Sequence, residues 1–302
     1  MATLMDGKAV AGRLLDAVRE GVSGLRDATG VQPCLATVLV GADPASVTYT
    51  QMKRRRCEAV GMKSIKVELP ESTTTDELVG TLRELGDDPA IHGILLQHPS
   101  PPQVDERAAF EAIPVAKDVD GVTYGSFARM FFGEAGPGQP GYESCTPGGM
   151  MRLLDAYDVD PAGKEAVVIG RSAILGKPMA GLLLQRNATV TICHSRTREL
   201  PEIVRRAEIV VAAVGRPEFV QGDWIREGAV VLDAGYNPGN VGDVAFAAAS
   251  ERAAMITPVP GGVGPMTIAV LIEQTLDSAA TAAGRPEFAV GATPPAPIGK
   301  GG

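Results

Sequence analysis

Aromatic residues are scarce in this chain: phenylalanine, tryptophan and tyrosine make up 4% of 302 residues, with a single tryptophan. Valine, leucine, isoleucine and alanine must fill any core, a bias that suits parallel sheets buried on both faces. Cysteine is scarce too. Cys34, Cys57, Cys145 and Cys193 stand far apart without a CxxC pair, and the three histidines do not cluster. That spacing argues against a disulfide framework and against zinc, so no metal is expected. Positive charge is in deficit, with a net charge of −8, which speaks against nucleic acid or an anionic membrane surface as partner. No uninterrupted apolar run reaches membrane-spanning length. The opening MATLMDGKAVAGRLL has no long apolar leader, so a cytoplasmic location is expected. Repeats of short fixed period are also missing.

What is present reads as an α/β protein. Hydrophobic residues reach 45% and charged residues 21%, ordinary values for a globular chain long enough for one large domain or two smaller ones. Val10, Leu14, Leu15, Val18 and Leu25 recur at helical spacing over 7–26. Residues 34–40 (CLATVLV) read as a buried strand. Asp43-Pro44 then pairs a good N-cap with a good first helical residue, opening a helix to about residue 60 that Gly61 stops. A strand at 64–69, a helix at 75–85 and a strand at 93–97 complete a β-α-β-α-β order, which predicts a parallel sheet. The stretch FFGEAGPGQPGY, 131–142, reads as a loop at a domain junction, and 147–157 as a connecting helix. Strands at 166–170, 189–193, 209–214 and 229–233 alternate with helices in the rhythm of a dinucleotide-binding fold. A helix at 267–280 returns toward the first domain. The spacing thus predicts one α/β domain from 1–145 and 265–284, a Rossmann-type domain over 146–264, and a disordered Pro/Gly/Ala-rich tail over 285–302.

Two motifs carry chemistry. In the first, AVVIG is followed by RSAILGKP, with Gly170 and Gly176 bracketing the turn. A helix N-terminus after such a turn offers unpaired N–H groups to a diphosphate. The middle glycine of the usual dinucleotide fingerprint is missing, and a purely structural turn is the alternative. The next strand ends in His194-Ser195-Arg196-Thr197, where NAD sites usually carry an acidic residue for the ribose. Arg171, Ser195 and Arg196 suit a 2′-phosphate instead, and the alternative is a solvated charged loop. In the second motif, Tyr49 and Lys53 stand four residues apart on one helix face, after the carboxyl end of the first strand, where α/β sites gather. Against this, Lys53 opens the run Lys-Arg-Arg-Arg, and such runs are usually solvated faces.

From Val40 to Leu271 the chain resembles the bifunctional methylenetetrahydrofolate dehydrogenase/cyclohydrolase family. VGADPASVTYTQMKRRRCEAVGM resembles its helix with catalytic tyrosine and lysine, placed on Tyr49 and Lys53. GILLQHPSP resembles its glutamine strand, with Gln97, and PVAKDVDG its pterin-binding segment, with Asp120. CTPGG, VVIGRSAILGKP, TVTICHSRT and TPVPGGVGPMT follow in the family's order. The resemblance implies oxidation of methylene-tetrahydrofolate by NADP in a cleft between the domains, then hydrolysis of the methenyl product to formyl-tetrahydrofolate, within one-carbon metabolism and purine biosynthesis. It implies a homodimer through the nucleotide domain. Lys53 serves the hydrolytic step, and since an amine at its reference pKa of about 10.4 is no base at neutral pH, a depressed value is required. Gln97 orients Lys53, Tyr49 stacks on or orients the folate, and Asp120 accepts from the pterin donors. Pro260, Gly261 and Gly262, with Gly264 nearby, let backbone approach the substrate. Nucleotide contacts fall on Gly170, Arg171, Ser172 and Gly176, on His194, Ser195 and Arg196, and on Gly215, Tyr236 and Thr257.

The chain also departs from the family. His98 and Ser100 replace leucines beside the key glutamine, Ala173 replaces an asparagine, Ser144 a proline and Tyr236 an aliphatic residue. A diverged paralogue with one activity, or a non-catalytic ligand-binding protein, is therefore kept as an alternative, as is a hydroxy-acid or amino-acid dehydrogenase on the same plan. The basic 2′-phosphate set has a direct consequence. NADP⁺ is expected to give a higher kcat/KM than NAD⁺ in a spectrophotometric assay with methylene-tetrahydrofolate, and the reverse order would remove Arg171, Ser195 and Arg196 from that role.

Overall fold

The computed structural model describes residues 1–41 and 44–291, with the backbone alone for 44–49. In chain order the elements are β1 (Thr3–Leu4), α1 (Gly7–Thr29), β2 (Cys34–Val40), α2 (Pro44–Ala59), β3 (Lys63–Leu69), α3 (Thr75–Asp87) and β4 (Gly93–Leu96). There follow α4 (Glu106–Glu111), α5 (Tyr124–Phe132), α6 (Cys145–Ala156), β5 (Glu165–Ile169), α7 (Gly176–Gln185) and β6 (Thr189–Cys193). The last are α8 (Leu200–Arg206), β7 (Ile209–Ala212), β8 (Val230–Asp233), α9 (Phe246–Arg252), β9 (Met255–Ile256) and α10 (Val263–Ala282). The capping role expected of Asp43 lies outside the described residues. Among the described residues no helix is long and apolar enough to cross a membrane.

The chain forms two compact units. One holds a parallel sheet in the order β3-β2-β4. β2 is central and buried at every position, which is why its sequence is a continuous apolar run rather than an alternation. β3 lies at the edge, and its LysSerIleLysValGluLeu sequence is correspondingly half exposed. α3 starts with a reciprocal capping box: Glu77 N–H donates to Thr74 Oγ1 at 3.3 Å, and Thr74 N–H donates to Glu77 Oε2 at 2.8 Å. It turns Leu78 and Leu82 inward.

The other unit, the larger of the two by its sheet alone (six strands against three), holds a parallel sheet in the order β1-β9-β8-β7-β5-β6. β6 and β7 flank β5 on opposite sides, so the order in which strands are added reverses at β5, the place where open α/β sheets bind ligands beyond their strand ends. Val167, Ile169, Val210, Ala212 and Val231 anchor its core.

The unit boundaries differ from the sequence reading. Met1–Arg13 cluster with the larger sheet and Ser144–Val270, whereas Leu14–Glu143 cluster with residues 271–291. The first residues cluster with that sheet because β1 pairs with β9, Thr3 facing Met255 and Leu4 facing Ile256. A two-residue strand has no periodicity to announce it. The tail also differs. Pro286–Phe288 form a 3₁₀ turn, and Val290 N–H donates to Asp277 Oδ1 at 2.8 Å, while residues 292–302 lie outside the described residues. α5 extends through Phe132, so the loop expected from Phe131 begins at Gly133, whose left-handed backbone (φ 74) ends the helix.

One contact in the larger unit sets a sign that helix propensity gets wrong. A Cβ on Gly7 would stand 1.8 Å from the carbonyl oxygen of Gly262, whereas one on Gly12 meets nothing within 4 Å. Both glycines lie in α1. Gly12→Ala is expected to stabilise by about 0.5–1 kcal/mol, and Gly7→Ala to destabilise by about 1–3 kcal/mol because backbone must shift. Thermal unfolding of the two variants checks this; equal shifts would contradict the packing described.

Candidate active site

α2 leaves the carboxyl end of β2 and turns Thr50, Lys53 and Cys57 to one side, all of them buried. The neighbouring Arg54, Arg55 and Arg56 are exposed, and Arg54 pairs with Glu58 at 2.8 Å. The solvated-run reading therefore holds for the three arginines and fails for Lys53. At the end of β4, Gln97 N–H donates to Val38 O at 2.9 Å and extends the sheet by one residue. Its side chain points its amide two ways. Nε2 donates to His98 O at 2.9 Å, which leaves Oε1 to accept from Lys53 Nζ at 3.0 Å. Parallel neighbours β2 and β4 thus bring an amine and an amide together across 44 residues of sequence. Burial pushes the Cys57 thiol up to about 12, so it stays a neutral thiol beside that amine. The side chain of Tyr49 lies outside the described residues.

Asp120 sits half-buried in the turn before α5, and that turn is held from both ends. The fully buried Asp118 accepts from Val122 N–H at 3.0 Å, Thr123 N–H at 2.9 Å and Thr123 Oγ1 at 2.7 Å. Thr123 in turn caps α5. From the other side Arg107 donates to Val122 O at 2.8 Å and to Glu111 Oε1 at 2.8 Å, with its guanidinium 4.8 Å from the Tyr124 ring and 5.2 Å from Phe110. His98 meets the same Phe110 edge-on at 6.4 Å, a packing role for one of the departures. Ser100 N–H is held by Glu106 Oε1 at 2.8 Å. Asp118 and Arg107 were not singled out by the sequence. A DxxxxT spacing before a helix was the available signal for the first, and nothing local marks the second.

In the larger unit the glycines of the turn expected to hold a diphosphate are sterically required. A Cβ on Gly170 would stand 2.3 Å from Ala213 O, and one on Gly176 would stand 2.3 Å from Gly170 O. Gly170 also takes a positive φ of 137. Ser172 tightens the turn, its Oγ accepting from Gly176 N–H at 3.3 Å and its carbonyl from Lys177 N–H at 3.1 Å. Arg171, Ser172 and Ala173 stay exposed. Beyond β6, Thr197 Oγ1 accepts from His194 N–H at 2.9 Å and His194 Nδ1 accepts from Arg196 N–H at 3.2 Å. That turn leaves Ser195 and Arg196 exposed, with no acidic residue among 193–198.

The remaining expected contacts fall at the ends of β7, β8 and β9. Gly215 is exposed with a φ of 63, and Tyr236 is 60% exposed with its hydroxyl on Asn240 Oδ1 at 2.7 Å. Thr257 is fully buried, and its Oγ1 accepts from Asp233 N–H at 2.8 Å; its hydroxyl is used inside the fold. Pro260 is exposed, while Gly261 takes φ 111 and its carbonyl accepts from Lys8 N–H at 3.1 Å. Gly262 N–H donates to Pro258 O at 2.8 Å. The glycines of this turn therefore serve close backbone packing onto the start of α1. The Lys53–Gln97 pair and the Asp120 turn belong to the smaller unit, and the phosphate turn, the basic turn after β6 and the 260–262 turn belong to the larger one.

The chain matches two sequence-family descriptions. Residues 144–283 match "Tetrahydrofolate dehydrogenase/cyclohydrolase, NAD(P)-binding domain", and residues 5–120 match the catalytic domain of the same family. A protein of Streptomyces avermitilis described as bifunctional protein FolD 1 is 62% identical over 94% of this chain and 97% of its own length. One of the same description from Salinispora arenicola is 61% identical over 92% of this chain and 98% of its own. Among solved structures, the bifunctional FolD methylenetetrahydrofolate dehydrogenase/cyclohydrolase of Campylobacter jejuni aligns with a TM-score of 0.88 and 41% identity, over 92% of this chain and 99% of that one. The Trypanosoma brucei enzyme, complexed with NADP cofactor and inhibitor, aligns with a TM-score of 0.87 and 38% identity, over 92% and 97%.

Asp233 lends the larger unit a pH dependence. Burial pushes its carboxyl up to about 6 from 3.8, opposed by N–H donors from Asp243, Val244 and Gly235 and assisted by the nearby Asp243 charge. A folded-state value above the unfolded one gives a contribution fully present below pH 3.8 and lost as pH rises through about 6. Relative to Asp233→Asn, the stability of the unsubstituted chain is expected to fall between about pH 4 and 6. Urea unfolding across that range checks it; parallel pH profiles for the two proteins would contradict the raised value.

Proposed function

The chain belongs to the tetrahydrofolate dehydrogenase/cyclohydrolase family, and from that premise we propose which residues carry each of its two reactions. The protein is an enzyme of both activities: it oxidises methylene-tetrahydrofolate to methenyl-tetrahydrofolate with NADP and hydrolyses the product to formyl-tetrahydrofolate.

The residues of the larger unit fit NADP. The turn closed by Gly170 and Gly176 leads into a ten-residue helix, α7, whose N-terminus suits a diphosphate. Arg171, Ser195 and Arg196 are exposed on that side and would hold the 2′-phosphate through charge-assisted bonds. When bound, NADP supplies the hydride acceptor. The protein's own part is to orient the nucleotide and the folate.

In the smaller unit Asp120 accepts from the pterin's amino and ring N–H donors, in a turn fixed by Asp118 and Arg107. Tyr49 stacks on or orients the folate. As a neutral amine, Lys53 takes a proton from the water that attacks the methenyl carbon and returns it to the nitrogen that leaves as the ring opens, while the adduct's hydroxyl proton departs to solvent as the formyl carbonyl forms. Gln97 Oε1 holds the amine in place between those transfers. The observation that carries this reading is the 3.0 Å bond from a buried Lys53 Nζ to Gln97 Oε1. We also propose a cytoplasmic homodimer. β6 is an open edge of the larger sheet, and Ile192 on it and Leu184 on α7 are exposed apolar side chains suited to a second copy.

Lys53→Met keeps an unbranched side chain one atom shorter and removes its proton chemistry. It is expected to slow hydrolysis of methenyl-tetrahydrofolate by about 10²–10⁴-fold, followed as the decay of methenyl absorbance. An unchanged hydrolysis rate would take Lys53 out of the mechanism.

A further inference from the structure

Asp243 is fully buried and belongs to none of the motifs above. Its Oδ2 accepts from Val214 N–H at 2.6 Å and Gly215 N–H at 2.9 Å, and its Oδ1 from Arg216 N–H at 2.9 Å and Asn237 Nδ2 at 3.0 Å. Three consecutive backbone N–H groups converging on one point, with Gly215 at positive φ, make a concave anion-binding nest. Here the chain's own carboxylate fills it. Asp243 is held in turn, because its N–H donates to Asp233 Oδ1 at 2.9 Å. A Cβ on Gly235 would stand 2.4 Å from Asp243 Cγ, so only glycine lets the carboxylate reach the turn. The outer surface of the turn remains free, Gly215 and Arg216 being exposed.

The turn's place in the sheet says what it serves. It follows β7, and Ala213 packs its carbonyl against Gly170 of the phosphate loop. β7 and β6 lie on opposite sides of β5. A dinucleotide whose 2′-phosphate is held beyond β6 and whose diphosphate is held at α7 therefore directs its nicotinamide half to the β7 side. We propose that Asp243 is a positioning residue for that half of NADP, holding the 214–216 turn in its receiving shape from beneath. The proposal rests on the assignment of NADP to this unit. A carboxamide in its place offers a single acceptor oxygen and turns an NH₂ toward backbone N–H groups, so the turn loses its anchor while α7 and the turn after β6 keep theirs.

Calorimetric titration of the full chain with two probes tests this: NADP⁺, which spans both halves, and 2′,5′-ADP, which carries only the adenosine side. Asp243→Asn is expected to weaken NADP⁺ binding by about tenfold and leave 2′,5′-ADP within about twofold. The KM for NADP⁺ should rise while that for methylene-tetrahydrofolate stays put. Asn237→Ala removes one of the carboxylate's four donors and should act in the same direction by about threefold, which keeps the test open if Asp243→Asn does not fold. Equal loss of both probes, or unchanged NADP⁺ affinity in both folded variants, overturns the proposal. Failure of the unsubstituted chain to bind 2′,5′-ADP would instead overturn the nucleotide assignment, and shows before any substitution is made.

Discussion

A buried amine needs a reason to be where it is. Lys53 lies inside the smaller unit with Gln97 Oε1 at 3.0 Å, and burying its N–H donors in apolar surroundings is costly unless an acceptor receives them. The smaller sheet is arranged around meeting that need. β2 and β4 run parallel and adjacent, so the helix leaving one and the residue ending the other converge at the same edge. His98 O then orients the glutamine amide. The meeting of that amine with that amide thus follows from strand order, and strand order follows from apolar runs that have to be buried on both faces.

Elsewhere the fold shapes its loops with carboxylates rather than with apolar packing. Asp118 gathers two N–H groups and a hydroxyl before α5, and Asp233 gathers N–H groups from three residues beyond β8. Asp243 does the same beyond β7. In each case an ionisable group is taken out of water and compensated by backbone donors that a loop would otherwise leave unpaired. The arrangement is stiff and direction-specific, which suits segments at the carboxyl ends of parallel strands, where ligands are received. It also demands small neighbours. Gly235 and Gly242 stand so close to Asp243 and Asp233 that a Cβ would overlap them, at 2.4 and 2.0 Å.

The strands and helices with long periodic patterns were legible in advance. Residues 34–40 and 189–193 carry the expected strands without change, and the expected helix at 7–26 extends to Thr29. The turn between β5 and α7 was legible because its glycines bracket a strand-helix junction, and the structure adds the reason: two carbonyl oxygens leave no room for a Cβ. Short elements escaped. β1 and β9 are two residues each, too short to show a period of two, and it is their pairing that moves Met1–Arg13 into the larger unit. Arg107 escaped because two of its partners, Val122 and the ring of Tyr124, come from a turn and helix outside its own α4.

The sequence by itself determined the α/β class, the order of motifs and the family, since these depend on local patterning and on residue types at fixed spacing. It also set the basic character of the turn after β6. Tertiary structure alone decided which member of the Lys-Arg-Arg-Arg run is buried, because that depends on which helix face meets the sheet. It alone decided that Thr257 would spend its hydroxyl on Asp233, and that Asp243 would close on a turn 27 to 29 residues away. Such pairings are set by the three-dimensional return of the chain, where a buried donor must find an acceptor whatever its distance in sequence.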